Sequence, residues 1–158
     1  MNKYCFIDSQ NLYLGIKGQG WKLDYKKFYI YLKEKIKVDK VFMYIGYIKE
    51  NEEMYNSFKE YGYELVFKNT KQYGKEGEQV KGNIDVDLTV DAIRKLNEYN
   101  HAVFISADGD FSSLYKYITI EKKKELTIMI PDRYKYSSFL LKYRKQLRFM
   151  NDLKNKLK

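Results

Sequence analysis

The chain has 158 residues, of which 44% are hydrophobic and 32% charged, and this composition predicts a globular protein with a sizeable core. Its one cysteine excludes an intrachain disulfide and a thiolate zinc cage, and its one histidine excludes a histidine-rich zinc site. No apolar run approaches the roughly 20 residues of a membrane span, and charged residues appear too early for a signal peptide. We therefore expect one domain over residues 1–158, a cytoplasmic location, no membrane partner, and a basic tail at 151–158 that frays.

The charge of the chain is strongly positive but unevenly distributed. Thirty Lys and Arg residues stand against 21 Asp and Glu residues, giving a net charge of +9. Six of the acids lie in three short segments, and without them the remainder carries +15. A field of this sign favours polyanions such as nucleic acids, although a lysine-rich surface also serves solubility alone. These six acids are Asp8, Asp85, Asp87, Asp91, Asp108 and Asp110.

The first half of the chain predicts three strands and two helices. The strands are short and apolar without polar alternation, as expected for strands buried on both faces. One helix is capped by Asp24 and repeats its apolar residues every four positions, and the other ends at Gly62. In chain order we expect a strand at 3–7, the helix through Phe28, Leu32 and Ile36, a strand at 41–48, a helix at 51–61, and a strand at 63–67.

The second half begins with a polar, glycine-containing stretch that predicts a long loop at 68–83. Strands and helices then alternate again: a helix at 84–99, a strand at 102–106, a helix at 111–123, a strand at 126–130 and a last helix at 137–147. This alternation predicts an α/β fold, a three-layer α/β/α sandwich around a central, mainly parallel sheet of about five strands.

Acidic residues follow two of the predicted strands and begin one predicted helix. Asp8 ends the first strand, Asp108 and Asp110 follow the fourth, and Asp85 lies in the first turn of a helix. Ends of parallel strands meet at one edge of a sheet, so these carboxylates should converge. Packed like charges need a cation, and carboxylates with few other ligands suit Mg²⁺ or Mn²⁺. Each acid also has a simpler interpretation, as a helix cap or turn residue.

Several neighbouring residues are candidates for supporting roles. Asn11 is placed to orient a water, a phosphate or Asp8, and Ser106 to donate a hydrogen bond to a carboxylate or phosphate. Asp87 and Asp91 share a helix face, which makes them candidates for alternate or outer ligands. Asp91 lies about 9 Å beyond Asp85 along the helix and is the weaker ligand candidate.

The predicted long loop carries basic and aromatic residues that suit a nucleic-acid substrate. Lys71, Lys75 and Lys81 would contact phosphates, and Tyr73 would stack on an unpaired base. Solvated loop lysines and simple packing of the tyrosine are the competing interpretations.

Taken together and in order, the three acidic segments resemble the NYN domain, a branch of the PIN-like nuclease superfamily that includes the LabA-like proteins. The resemblance spans about residues 3–131. It is carried by Ile7-Asp8-Ser9-Gln10-Asn11-Leu12, by Lys81-Gly82 with Asp85-Val86-Asp87 and Asp91-Ala92, and by Ser106-Ala107-Asp108-Gly109-Asp110-Phe111.

The resemblance implies a compact α/β/α sandwich and Mg²⁺- or Mn²⁺-dependent cleavage of RNA, with single-stranded RNA the favoured partner. Asp8, Asp85, Asp108 and Asp110 would form the acidic constellation, with Asn11 beside it. Two other functions remain open: an RNA-binding adaptor with little activity, and a phosphohydrolase acting on small molecules. The second is weakened by Gln10, which stands where a haloacid-dehalogenase-like phosphatase has its second acid. The sequence leaves a homodimer open.

Overall fold

The computed structural model describes residues 2–69 and 81–158, and the strands within them form one parallel sheet. The order across the sheet is β3-β2-β1-β4-β5-β6, and every neighbouring pair is parallel. The strands are β1 (Lys3–Asp8), β2 (Lys40–Tyr47), β3 (Glu64–Asn69), β4 (His101–Ile105), β5 (Glu125–Ile130) and β6 (Leu147–Phe149).

Helices connect the strands. The α-helices are α1 (Ser9–Lys17), α2 (Tyr25–Tyr31), α3 (Glu52–Tyr61), α4 (Lys81–Arg94), α5 (Ser112–Lys116) and α6 (Lys154–Leu157). π-Helical turns extend α2 (Leu32–Ile36) and α5 (Tyr117–Glu121), and 3₁₀ segments cover Lys49–Asn51, Leu96–Glu98, Gly109–Phe111, Ser138–Gln146 and Met150–Leu153. In the two described ranges, no helix is both long and apolar enough to cross a bilayer.

Side chains of the sheet alternate between two cores, so the fold has three layers. Tyr4 and Phe6 of β1 pack with α4, α5 and the 3₁₀ segment Ser138–Gln146 on one face. Cys5 and Ile7 pack with α1, α2, α3 and α6 on the other. This confirms the predicted α/β/α sandwich. Cys5 is fully buried, and burial raises the pKa of its thiol.

Two local signals in the sequence fix helix ends as predicted. Asp24 caps α2 by accepting hydrogen bonds from the backbone N–H groups of Lys26 and Lys27, each at 3.0 Å. Gly62 ends α3 with φ of +119°, a backbone conformation that other residues rarely adopt. A Cβ at this position would also lie 2.4 Å from the ring of Tyr29.

The predicted loop at 68–83 is too long at both ends. β3 continues to Asn69, because Gly46 and Tyr47 of β2 extend the ladder beside it. Helix α4 begins at Lys81, although we expected it to begin at residue 84. The segment between these elements lies outside the described residues, and with it Lys71, Tyr73 and Lys75.

The C-terminal region differs most from expectation. The helix predicted at 137–147 is a 3₁₀ segment with a kink at Tyr143, and it ends where a sixth strand begins. β6 is only three residues long and pairs with β5 at the edge of the sheet. The tail after Asn151, where we expected fraying, forms a 3₁₀ turn and α6, with Leu157 buried and its carbonyl accepting from the Asp24 N–H at 2.7 Å.

Candidate metal centre

The site lies where the order of the sheet reverses. The chain runs from β1 outward to β3 on one side and from β4 outward to β6 on the other. The register pairs Ile7 with Ile105, so Asp8 and Ser106 leave the sheet side by side at the carboxyl ends of their strands. Crevices at such switch points are the usual ligand sites of open parallel sheets.

Helix α4 brings a third acid to this edge from the face of the sheet. Its buried side chains Ile84, Leu88 and Ala92 recur at four-residue spacing, and the helix packs on β1 and β2. Asp85 follows Ile84 directly and lies just after the first turn of α4, not in the first turn as predicted, because the helix begins at Lys81. The packing of Ile84 against the sheet places the Asp85 carboxylate at its edge.

Three carboxylates meet there. Asp8, Asp85 and Asp108 each offer one oxygen, and these oxygens all lie within 4.8 Å of one another. The side chain of Asp8 is buried, and those of Asp85 and Asp108 are half-buried. We call this group the acidic triad. Three negative charges so close and so shielded from water repel each other strongly unless a cation neutralises them.

Hydrogen bonds from residues at the ends of β1 and β4 hold two of the triad carboxylates in position. The Ser106 hydroxyl donates to Oδ2 of Asp8 at 3.2 Å and accepts from the Asp108 N–H at 3.1 Å. Oδ1 of Asp8 accepts a hydrogen bond from the Asn11 N–H at 3.3 Å, and through this bond Asp8 also caps α1. The Asn11 side-chain oxygen accepts from the Ala107 N–H at 2.8 Å. Ser106 and Asn11 therefore tie the ends of β1 and β4 together and set the position of two of the three acids.

Asp110 is not part of the triad. It is the exposed residue of the 3₁₀ turn Gly109–Phe111, whose other two residues are buried, and its N–H donates to Oδ1 of Asp108 at 2.9 Å. Asp108 therefore has both predicted roles. It caps the 3₁₀ turn that follows it, and it is a member of the triad.

Asp87 and Asp91 interact with other groups along α4. Lys68 Nζ lies 3.2 Å from Oδ2 of Asp87. The Tyr44 hydroxyl donates to Oδ2 of Asp91 at 2.9 Å, and Arg94 lies 3.6 Å from its other oxygen. Burial and this hydrogen bond raise the pKa of Tyr44, which keeps the phenol protonated as a donor. Neither acid belongs to the triad.

One residue beneath the triad was not predicted. Tyr115 of α5 is fully buried, and within the described residues its hydroxyl has no hydrogen-bond partner. Burial, and then the negative charges of Asp8 and Asp108, raise its pKa well above the usual range. The phenol stays neutral under the acids. Nothing in the sequence distinguishes it among 17 tyrosines.

Most of the residues predicted to bind the substrate lie outside the described part of the chain. Lys71, Lys75 and Tyr73 fall outside the described residues. The backbone of Lys81 begins α4, four residues before Asp85, and so lies at the same edge of the sheet as the triad. His101, the one histidine of the chain, lies half-buried at the opposite edge of the sheet, where β4 begins.

Comparison with known proteins identifies the family. The family profile described as the NYN domain matches residues 4–148. The chain is 23% identical over 137 residues to the "Low amplitude and bright protein LabA" of Synechococcus elongatus, covering 80% of this chain and 72% of that protein.

A solved structure of similar fold comes from Vibrio parahaemolyticus, a crystal structure of a protein of unknown function. Its TM-score is 0.77 at 22% identity, and the match covers 96% of this chain and 93% of that one. The NYN match extends through both strands that carry the triad and through α4. The chain belongs to the NYN domain family, in the LabA-like branch of the PIN-like nuclease superfamily.

Proposed function

We propose that this protein is a metal-dependent ribonuclease that hydrolyses phosphodiester bonds, with single-stranded RNA as its substrate and Mg²⁺ or Mn²⁺ as its cofactor. NYN domains are generally nucleases. The observation that carries the proposal for this chain is the convergence of Asp8, Asp85 and Asp108 within 4.8 Å at the switch point of the sheet.

The donor set fits a hard divalent cation. All three triad side chains offer carboxylate oxygens, the ligands that Mg²⁺ and Mn²⁺ prefer. Asp8, Asp85 and Asp108 would hold the ion together through these oxygens, which lie within 4.8 Å of one another. A cation held there would activate water and stabilise negative charge on the phosphate.

The residues around the triad would keep its geometry constant. The Ser106 hydroxyl hydrogen-bonds to one oxygen of Asp8 and to the backbone N–H of Asp108. The Asn11 side chain hydrogen-bonds to the backbone N–H of Ala107, which lies between Ser106 and Asp108. Loss of such a supporting hydrogen bond typically lowers metal affinity or activity by about tenfold or more. Asn11 therefore acts in this proposal mainly as a positioning residue. A direct role for Asn11, and metal ligation by Asp110, stay predictions.

The positive remainder of the chain supplies attraction for RNA. Excluding the six acids of the motifs, the chain carries +15, which favours phosphate contacts through counterion release. Phosphate contacts by Lys71, Lys75 and Lys81 and stacking on Tyr73 remain part of the proposal, as do the single domain and the cytoplasmic location.

The test is to incubate the purified chain with end-labelled single- and double-stranded RNA and DNA in Mg²⁺, Mn²⁺ or EDTA. We expect cleavage of single-stranded RNA in Mg²⁺ or Mn²⁺ and none in EDTA. The Asp108→Asn variant, prepared in the same way, controls for a contaminating nuclease. Binding without any cleavage in Mn²⁺ would favour the adaptor function, and neither binding nor cleavage at low salt would reject both.

A further inference from the structure

A connecting segment after β5 packs directly against the acidic loop. Residues 131–139, which we call the strap, lead from the end of β5 into the 3₁₀ segment Ser138–Gln146. The Ser137 N–H donates to the Ala107 carbonyl at 3.1 Å, and the Ser137 hydroxyl accepts from the Phe139 N–H at 3.2 Å. A Cβ on Gly109 would lie only 2.2 Å from Ser137 Oγ, so the absence of a side chain there permits this close packing.

The strap carries an exposed aromatic ring to the edge of the site. Phe139 is 68% exposed, although its Cδ2 atom lies 3.0 Å from the position of a Cβ on Gly109. Gly109 lies between Asp108 of the triad and Asp110. One side of the Phe139 ring contacts the backbone at Gly109, and the rest of the ring is open to solvent. The ring therefore contributes little to the core. The ring is therefore available to contact a ligand at the edge of the site.

On its other side the strap lines a cavity of about 350 Å³ next to the triad. Asn11 and Ala107, which hold the triad in place, form its inner wall. Leu14 and Pro131 contribute apolar groups to its lining, Lys135 contributes a cation, and Asp132 contributes a carboxylate. The cavity is large enough for a sugar and part of a base.

The charge of this region matches a polyanion. From residue 131 to residue 148 the sequence has six basic residues and one acid, Asp132. Asp132 is buried, and its Oδ1 accepts from the Tyr134 N–H at 3.1 Å and from the Asn151 amide at 3.3 Å. Of the two bases in the strap itself, Arg133 lies 2.6 Å from Asp152, whereas Lys135 is exposed. The strap therefore presents one exposed cation and an exposed aromatic ring, and the other four bases follow it in the chain.

We propose that the strap is a binding subsite for unpaired nucleotides that flank the bond to be cut. The Phe139 ring stacks on one base, and the Lys135 ammonium binds a phosphate at the mouth of the cavity. This inference deepens the proposed function and rests on its nucleic-acid substrate. A base in a duplex is already stacked on both faces, so an open aromatic platform selects single strands.

The test measures binding in EDTA, so that no cleavage occurs. Fluorescence anisotropy with a fluorescein-labelled 12-nucleotide poly(U) RNA gives Kd for the full chain and its variants over a range of salt. We expect Phe139→Ala to weaken binding about tenfold and Phe139→Trp to restore it. Lys135→Ala should weaken binding and lower the salt slope by about 0.7, the value for one phosphate contact on a single strand.

Matched controls come from the opposite edge of the sheet. Ile120 is 66% exposed and Lys122 is exposed, both just before β5 begins. Ile120→Ala and Lys122→Ala remove the same kinds of group and should leave Kd within about twofold, which is the scale of a nonspecific surface effect. A 12-base-pair duplex of RNA should bind the wild type and Phe139→Ala equally.

The outcomes separate the two proposals. If the wild type cleaves RNA but Phe139→Ala and Lys135→Ala bind as the controls do, the strap proposal is wrong and the nuclease proposal stands. If the strap variants lose binding but the wild type never cleaves, the subsite stands and the nuclease proposal fails. If the wild type binds no single-stranded RNA at low salt, both fail. Thermal unfolding of each variant verifies that the fold is retained.

Discussion

Two sets of acids on the same motifs have different environments. The oxygens of Asp8, Asp85 and Asp108 approach one another within 4.8 Å. Asp87 and Asp91, only a few residues from Asp85, approach Lys68, Tyr44 and Arg94. Spacing along a helix therefore does not decide the role of a carboxylate. Asp87 and Asp91 each lie near a cationic side chain, whereas the three triad oxygens lie together, and grouped carboxylates favour a cation.

The largest effect should come from breaking the triad. Asp108→Asn keeps the shape of the side chain and removes a negative charge that a cation requires, so we expect cleavage to fall by about 100-fold or more. Asp87→Asn is the matched control from the other set and should keep most of the activity. The measurement is the initial rate of RNA cleavage in Mn²⁺. Equal rates for the two variants would remove the distinction between the two sets of acids.

The same variant makes a second, opposite prediction for stability. Without metal, Asp108→Asn should leave the melting temperature unchanged or higher, because it relieves repulsion among three carboxylates. Thermal unfolding in EDTA measures this directly. A clear drop in melting temperature would mean that the charge of Asp108 serves the fold.

The next largest effect should come from the support beneath the triad. Ser106→Ala removes the donor to Asp8 and the acceptor of the Asp108 N–H, so we expect metal affinity to fall by about tenfold. Ser106→Thr keeps the hydroxyl and should restore part of the loss. Calorimetric titration with Mn²⁺ gives the affinity. An unchanged affinity in Ser106→Ala would show that the triad needs no such support.

A smaller effect, on stability alone, should come from the second set. Asp91→Ala leaves the hydroxyl of the buried Tyr44 without its acceptor and should lower the free energy of unfolding by about 1–3 kcal/mol. Mn²⁺ affinity should not change. Adding Tyr44→Phe removes the unpaired hydroxyl and should recover part of the loss. Chemical denaturation of both variants measures the recovery, and loss of Mn²⁺ binding in Asp91→Ala would move this acid into the metal site.

The smallest effect concerns His101, at the edge of the sheet away from the triad. Burial, and then the charge of Lys3, lower its pKa, although Glu125 lies 3.2 Å away. The unfolded chain then binds a proton more readily, so this residue makes stability fall as the pH drops from about 6.5 toward its lower folded pKa. His101→Gln should abolish this contribution to the pH dependence of unfolding. A variant curve parallel to the wild type through that range would contradict the assignment.

The sequence was sufficient to predict which acids lie close together wherever the topology of a parallel sheet brings strand ends to the same edge. Asp8 and Asp108 end or follow apolar strands, and neighbouring parallel strands bring such positions to one edge. Asp85 was placed by the start of a helical pattern, although the helix begins three residues earlier than expected. The convergence of Asp8, Asp85 and Asp108 and the layered fold could therefore be predicted without any tertiary information. Asp110 was predicted to join the same group, and it lies outside the triad.

What was missed depends on contacts between distant segments. The pairing of Asp87 with Lys68 and of Asp91 with Tyr44 joins α4 to β3 and β2, and no local pattern encodes it. The sixth strand has three residues and follows an apolar stretch with helical spacing, so a helix was the better local interpretation. The place of Phe139 beside Gly109 likewise arises only when the strap folds back onto the loop after β4.

The most direct test of the central claim is diffraction from crystals grown with Mn²⁺, using its anomalous signal to locate the ion. We expect an anomalous peak bounded by the carboxylates of Asp8, Asp85 and Asp108, present in the wild type and in Asp87→Asn and lost in Asp108→Asn. A chain that cleaves RNA in Mn²⁺ but binds the ion elsewhere, away from these three carboxylates, would contradict the account.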